Sequence, residues 1–276
     1  MAQKKKLTRE TNTQQPIDAF QSAGSERLEN FGKKLEGKGK PILYGLLALV
    51  AIAALAGIFY NYTRRSAAAA QTSLGKAIEI SEAQVSASPI PNNPAPTFTT
   101  EKERSEKAIA AFQEVANKYG SPYKDKALYF IAVNRLKLDR GAGIQELEGL
   151  AKSSDREVAT LSKFALAEAK AAEGKLDEAA AGYNDLAQAK TGIISDDTIN
   201  FALASIYEKQ GKKQEAADIY FNLAKAGREA KDAEGQPIAL SLTAREAARK
   251  LEKLDSARFA QLPEEPAPAS MGGFGM

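Results

Sequence analysis

The longest run of apolar positions in the chain lies between Lys40 and Arg64, where no side chain carries a charge. As a helix, residues 41–63 would extend about 34 Å, which exceeds the roughly 30 Å of a bilayer's hydrocarbon core. The run is apolar on every side, whereas a core helix of a soluble domain is normally amphipathic. We therefore predict a transmembrane helix over residues 41–63.

A buried core helix and a cleaved signal peptide are the alternatives to this anchor. Ala67 to Ala70 resemble the small residues of a cleavage site, but the apolar run is longer than the about 7–15 residues of a secretory signal. Near the run, basic residues are more numerous on its N-terminal side, which favours a cytoplasmic N-terminus. The sequence therefore favours a permanent anchor that places the larger C-terminal part outside the cytoplasm.

Within the anchor, Ala53 and Gly57 are separated by three residues. Small residues at this spacing let a second transmembrane helix approach closely. They are the candidate residues for a helix–helix contact in the membrane, although an alanine-rich anchor also contains such spacings by chance.

The composition divides the remainder of the chain into regions of different character, and no alternating β pattern occurs in any of them. We predict a basic, largely disordered cytoplasmic tail over residues 1–40, a helix leaving the membrane over 64–87, a Pro-rich loop over 88–99, a helical domain over 100–259 and a disordered tail over 260–276.

The helical domain contains an internal repeat. Residues 165–190 align with residues 202–227 at an offset of 37, and twelve of the 26 aligned positions are identical. Apolar residues recur with helical i, i+3, i+4 spacing on both sides of Gly211. Glycine readily adopts the left-handed conformation that ends a helix, so Gly174 and Gly211 mark a turn in each copy. Each copy is therefore predicted to be two amphipathic helices joined by a tight turn.

Weaker versions of the unit flank these two copies. Residues 106–120 are predicted to form the second helix of an earlier unit, and residues 126–141 the first helix of the next, with a short partner at about 143–152. Residues 237–254 would cap the array. A single unit of this kind cannot bury its own apolar face, so a stack of roughly three or four units is expected.

The second copy resembles the tetratricopeptide repeat, a helix pair with small and aromatic residues at fixed positions around a glycine turn. The resemblance rests on Leu203, Ala204, Tyr207, Gly211, Ala216, Tyr220 and Ala224. The first copy departs from the family at Lys170, where an aromatic residue is usual, and the chain has no tryptophan. The resemblance implies an all-α fold: one N-terminal transmembrane helix followed by a tetratricopeptide-like α-solenoid of helix pairs.

Arrays of this family present a concave surface built mainly from the first helix of each pair. The resemblance implies that the groove-facing positions, and so the candidate partner-binding residues, are Phe164, Glu168, Ala172, Phe201, Ser205 and Lys209. For Phe164 and Phe201 the alternative is that they pack inside the array.

The composition excludes several kinds of chemistry. The chain lacks cysteine and histidine, so disulfides, Cys/His zinc sites and Cys- or His-dependent catalysis are excluded. The net charge is +3 and the basic excess lies in residues 1–40, so no basic face for nucleic acid is found. Asp196 and Asp197 are predicted to stabilise a helix N-terminus instead of holding a metal. We expect no enzyme activity, no metal or other cofactor and no nucleic-acid binding.

The anchor, the helix leaving the membrane and the repeat domain together resemble the ancillary subunit of the bacterial SecYEG translocon. This resemblance covers roughly residues 40–255 in architecture and implies an inner-membrane protein with its repeat domain in the periplasm. The implied partners are the translocon, a membrane-anchored periplasmic prolyl isomerase chaperone and newly exported proteins, beside the lipid bilayer. The alternative is a structural subunit of another bacterial membrane complex that uses its repeat domain for assembly.

Overall fold

Helices form almost all of the regular structure in the computed structural model, which describes residues 39–86 and 96–266. The helices are α1 (Gly39–Glu82), α2 (Glu101–Lys118), α3 (Tyr123–Leu138), α4 (Arg140–Leu150), α5 (Arg156–Ala172), α6 (Leu176–Ala189), α7 (Asp196–Lys209), α8 (Lys213–Glu229), α9 (Leu242–Leu254) and α10 (Ser256–Phe259). Two short strands, β1 (Gln84–Val85) and β2 (Thr97–Phe98), complete it. The prediction of a mainly helical protein is confirmed.

Several predicted regions lie wholly or partly outside the described residues. They include residues 1–38 of the basic tail, residues 87–95 of the Pro-rich loop and residues 267–276 at the C-terminus. The side chains of 39–51, 58–59 and 61–63 are also outside them. Within the part of the chain that the structure describes, no helix meets the length and hydropathy that crossing a membrane requires.

Polar side chains start most of the helices after residue 100. Thr100, Asp155, Ser195 and Ser241 each accept a hydrogen bond from a backbone N–H in the first turn that follows. Such caps satisfy donors that have no partner inside the helix. Glu103 adds the reciprocal contact before α2, because its carboxylate accepts hydrogen bonds from the N–H and hydroxyl of Thr99. Local sequence therefore determines where these helices begin.

Glycine turns end the first helix of each repeat copy. Gly174 has φ 76° and Gly211 has φ 78°, so the predicted left-handed conformation is confirmed at both. The N–H of Lys175 donates to the carbonyl of Lys170 at 2.9 Å, and the N–H of Lys212 donates to that of Tyr207 at 2.9 Å. This six-residue closure is the Schellman motif. The turn therefore has the same geometry in both copies, 37 residues apart.

Each helix from α2 to α9 packs against its neighbours in the chain, so the helices form successive antiparallel pairs. Tyr183, on α6, is in a buried cluster with Ala167 of α5 and Leu203 of α7. Tyr220, on α8, is in the corresponding cluster with Ala204 of α7 and Leu251 of α9. Each tyrosine therefore joins its own pair to the helix that begins the next pair.

The chain divides into two units after Arg65, and the second, Ser66–Met276, contains the helical array. Within this unit, the last part of α1 packs on α2 and α3. Leu74 and Ala77 are buried with Phe112. Ser81 of α1 shares two hydrogen bonds with the amide of Asn134, which is fully buried on α3. The helix leaving residue 65 is thus the first member of the array.

The end of α1 differs from the sequence prediction. The helix was expected to run to residue 87, but it ends at Glu82 and is followed by β1, which pairs in parallel with β2. The guanidinium of Arg104 donates to the carbonyl of Ala83 at 2.9 Å, which satisfies an acceptor at the helix end. Two-residue strands are too short to produce an alternating pattern in sequence, so none was predicted.

The C-terminal part also extends beyond the predicted limit of the domain. The repeat domain was predicted to stop at residue 259, yet Leu262 packs on the cluster around Tyr220. The guanidinium of Arg228 donates a hydrogen bond to the carbonyl of Pro263 and lies 5.6 Å from the centre of the Phe259 ring. Residues just after α10 therefore cover the last helix pair.

The contact between α3 and α4 can be tested directly. A Cβ on Gly143 would lie 2.6 Å from the backbone nitrogen of Leu136 on α3. We expect Gly143→Ala to lower the free energy of unfolding by about 1–3 kcal/mol, because backbone atoms cannot move aside cheaply. Gly149 is the matched control on the same helix, since a Cβ there meets no atom within 4 Å. Gly149→Ala should be neutral or stabilising by up to about 1 kcal/mol. Urea denaturation of both variants measures the difference, and equal effects would contradict the α3–α4 contact.

Candidate functional site

The six candidate groove residues occupy two equivalent sets on first helices. Phe164, Glu168 and Ala172 lie on α5, and Phe201, Ser205 and Lys209 lie on α7, in each case four residues apart on one helix face. Glu168, Ala172 and Lys209 are exposed, whereas the other three are half-buried. Among the described residues, no hydrogen bond, ion pair or ring contact joins one set to the other.

The two phenylalanines contact the tyrosines that pack between successive helix pairs. The ring centres of Phe164 and Tyr183 are 5.4 Å apart, and those of Phe201 and Tyr220 are 5.5 Å apart. Edge-on and tilted arrangements at this distance are favourable for aromatic rings. The structure therefore places Phe164 and Phe201 in packing contacts, as the alternative interpretation held, while leaving each ring partly open to solvent.

In the second copy, polar groups beside this aromatic pair form a closed network. The hydroxyl of Tyr220 lies 3.1 Å from the Ser205 hydroxyl and donates to the Glu208 carboxylate at 3.1 Å. The ammonium of Lys250, on α9, pairs with the same carboxylate at 3.0 Å. Burial is the main cause that raises the pKa of Tyr220 to about 12. Ser205 is therefore engaged inside the array.

In the first copy, the equivalent position is Glu168, and its surroundings differ. Glu168 makes no hydrogen bond or ion pair with any residue that the structure describes. Burial raises its pKa above the ordinary value of a glutamate, although its side chain keeps contact with water. Burial also raises the pKa values of Tyr129 and Tyr183, and the negative charge of Glu168 adds to both shifts. Among the described residues, the Glu168 carboxylate therefore has no cation paired with it.

Sequence analysis did not identify Tyr129, Glu208 or Lys250. Tyr129 packs with Ala165 of α5 in a small cluster between helix pairs, and it comes from an outer unit where the repeat pattern is weak. Glu208 and Lys250 are 42 residues apart, and Lys250 lies beyond the second copy. The helical spacing of α9 could have indicated Lys250 as a surface residue, but no feature of the sequence indicated its partner.

The remaining candidates are Ala53, Gly57, Asp196 and Asp197. Ala53 and Gly57 are exposed on α1, and a Cβ on Gly57 would meet no atom within 4 Å. Asp196 and Asp197 are exposed in the first turn of α7, where the helix dipole favours negative charge, but the cap itself is Ser195. Within the described residues, no group of three acidic side chains is placed to hold a metal ion.

Comparison with models of known families, with curated proteins and with solved structures finds no match to this chain.

The unpaired environment of Glu168 predicts a measurable effect on stability. We expect Glu168→Gln to raise the free energy of unfolding at neutral pH by at most about 0.5 kcal/mol, because glutamine removes a partly desolvated charge from a site still open to water. The folded protein binds this proton more tightly than the unfolded chain does, so the wild-type protein is relatively more stable at low pH. The difference in the free energy of unfolding between the wild-type protein and Glu168→Gln should disappear as the pH falls through the raised pKa of Glu168. Urea denaturation at neutral and acid pH measures both effects.

Glu208→Gln is the matched control, since it removes the same charge from a carboxylate that is paired with Lys250 and Tyr220. It should lower the free energy of unfolding by about 1 kcal/mol. If both variants lose stability equally at neutral pH, the two carboxylates do not differ in the way described.

Proposed function

We propose that this protein is a protein-binding scaffold whose stacked helix pairs bind a partner along the face that carries Phe164 and Phe201. The observation that carries this proposal is the repetition, at an offset of 37 residues, of a half-buried phenylalanine held against a buried tyrosine. Such repetition presents similar, regularly spaced contact points. An extended or helical segment of another protein has the same regularity, whereas a small molecule would occupy only one of these points.

The polar groups of this face suit a protein-binding surface better than an enzyme active site. Ser205, Tyr220 and Glu208 already satisfy one another within the array. An enzyme would need a nucleophile and a base within reach of a shared reacting atom, and the exposed residues of the face, such as Ala172 and Lys209, do not supply that combination.

We further propose that residues 41–63 anchor the scaffold in a bacterial inner membrane, with the repeat domain in the periplasm. The proposal is supported by the uncharged run between Lys40 and Arg64 and by the excess of basic residues before it. Helix α1 continues through this run from Gly39 to Glu82. An anchor raises the local concentration of the scaffold beside other membrane proteins, so that even a weak contact on its face becomes effective.

The partners we propose are those that the resemblance to the ancillary translocon subunit implies. They are the SecYEG translocon and a membrane-anchored prolyl isomerase chaperone that handles newly exported proteins. In this role the scaffold holds a chaperone close to the exit of the channel.

Site-specific photocrosslinking in intact cells tests the binding face. A photoreactive amino acid at Ala172 or Lys209 should crosslink to a protein partner, because both positions are exposed on first helices. The same amino acid at Gln188 or Asn222, which are exposed on the second helices α6 and α8, should give crosslinks at least several-fold weaker.

The identity of the crosslinked protein decides between the proposed role and the alternative. Crosslinks to translocon or chaperone subunits would support the proposed role. Crosslinks to one constant subunit of another membrane complex would support the alternative instead. Equal crosslinking from all four positions would show that this face has no special role in binding.

The proposed membrane anchor can be tested separately from the binding face. The full-length protein should remain with membranes after extraction at alkaline pH, because about 23 uncharged residues suffice to cross the hydrocarbon core. Protease added to the periplasmic side should cleave beyond Arg65. Release by alkaline extraction, protection of that region or a mature chain that begins near Ala70 would contradict the anchored arrangement.

A further inference from the structure

A pocket of about 250 Å³ lies between α4, α5 and α6, and we call it the α5 pocket. Its apolar part consists of Leu166 and Ala167 of α5 with Gly182 of α6, and Lys170 and Glu148 also line it. None of the six candidate groove residues does so. Sites for whole small molecules typically measure about 300–1,000 Å³, so the α5 pocket has the size of a site for a single side chain.

The second repeat copy shows which side chains suit this position. At the offset of 37 residues, Lys170 corresponds to Tyr207 and Gly182 corresponds to Ile219. Tyr207 and Ile219 are half-buried, and both pack on the two buried clusters that join successive helix pairs. The first copy therefore lacks the aromatic ring and the aliphatic side chain with which the second copy fills the space between its helices.

Polar side chains hold the Tyr207 ring in the second copy. The amide of Asn184, on the second helix of the preceding pair, donates to the Tyr207 hydroxyl at 3.2 Å, and the ammonium of Lys212 lies 5.4 Å from the ring centre. The α5 pocket has comparable groups, because Glu148 of the preceding second helix, α4, and Lys163 of α5 line it. Within the described residues, neither of them makes a hydrogen bond or an ion pair. A carboxylate accepts a hydrogen bond from a phenol, and an ammonium group is attracted to an aromatic face.

The charges of the lining favour a neutral ligand. Glu148 and Asp185 line the α5 pocket together with Lys163 and Lys170, so a charged side chain of either sign would meet like charges there. An aliphatic side chain would contact the apolar part but would bring no donor to the carboxylates. A tyrosine is neutral, places a ring on the apolar part and carries a hydroxyl that donates.

We propose that the α5 pocket is a subsite for one tyrosine side chain of a partner protein. The ring packs on Leu166, Ala167 and Gly182, as Tyr207 packs within the second copy, and the phenol hydroxyl donates to the Glu148 carboxylate. The inference goes beyond the proposed function, because it adds a second contact point that does not include the face carrying Phe164. A partner that engages both places contacts the array more strongly than through either one alone.

An array of ten-residue peptides tests the subsite with the full-length protein in detergent. The central residue is tyrosine, phenylalanine, alanine or lysine, and the flanking positions are randomised among non-aromatic residues. The wild-type protein should be retained about tenfold more strongly on tyrosine peptides than on alanine peptides, because a ring is buried in a partly open pocket. It should be retained about threefold more strongly on tyrosine than on phenylalanine peptides, because only tyrosine donates to Glu148.

Two variants and two matched controls identify the residues responsible. Lys170→Tyr supplies the ring of the second copy from the chain itself, so it should reduce the preference for tyrosine over alanine to about one. Glu148→Met removes the acceptor, so it should abolish only the preference for tyrosine over phenylalanine. Lys225→Tyr and Glu215→Met make the same changes at exposed positions on α8 and should leave both preferences unchanged. Circular dichroism establishes that each variant is folded, and Glu148→Met alone decides the test if Lys170→Tyr does not fold.

The possible outcomes separate the subsite from the scaffold. Equal retention of tyrosine and alanine peptides by the wild-type protein overturns the subsite, as does a tyrosine preference that persists in Lys170→Tyr. Equal retention of tyrosine and phenylalanine peptides, stronger retention of lysine peptides or no retention on any peptide also overturns it. Photocrosslinking from Ala172 and Lys209 remains an independent measurement of the other face, and its control positions, Gln188 and Asn222, do not line the α5 pocket.

Discussion

The array depends on the burial of one large side chain between successive helix pairs. Tyr183 and Tyr220 each extend from a second helix into the space between neighbouring helices, beside Ala167 of α5 and Ala204 of α7 respectively. Burial of a side chain of this size contributes about 2–3 kcal/mol relative to exposure, so neither pair would be expected to persist without the next. Since small residues such as Ala167 and Ala204 leave room for the tyrosines, the sizes of these residues determine the spacing of the stack.

This packing also explains why the two copies can differ in their polar residues. The contact between a phenylalanine and the tyrosine is retained in both, and it lies on one side of the tyrosine ring. The Tyr220 hydroxyl lies 3.1 Å from the Ser205 hydroxyl, and the first copy has Glu168 at the equivalent position. Because the aromatic contact is the same in both copies, the residue at that position can differ without loss of this contact.

The sequence predicted those parts of the fold that are governed by local physics. Gly174 and Gly211 identified the turns because few other residues adopt positive φ easily, and apolar spacing located α7 and α8. It did not predict the end of α1, because that end depends on Arg104, which follows 21 residues after Ala83. The proposed binding face was located through the repeat, yet the network of Glu208 with Lys250 was missed, since a contact across 42 residues leaves no periodic signal.

The first copy also differs from the second at Lys170, which stands where the second copy has an aromatic residue. In the second copy the equivalent residue, Tyr207, receives a hydrogen bond from Asn184 and lies 5.4 Å from the ammonium of Lys212. Lys170 instead pairs with Glu178, across its own helix turn. An ion pair that is partly exposed contributes little to stability, so the first copy is the weaker unit by composition. Its neighbours on both sides compensate, since α3 supplies Tyr129 and α7 supplies Leu203 to its clusters.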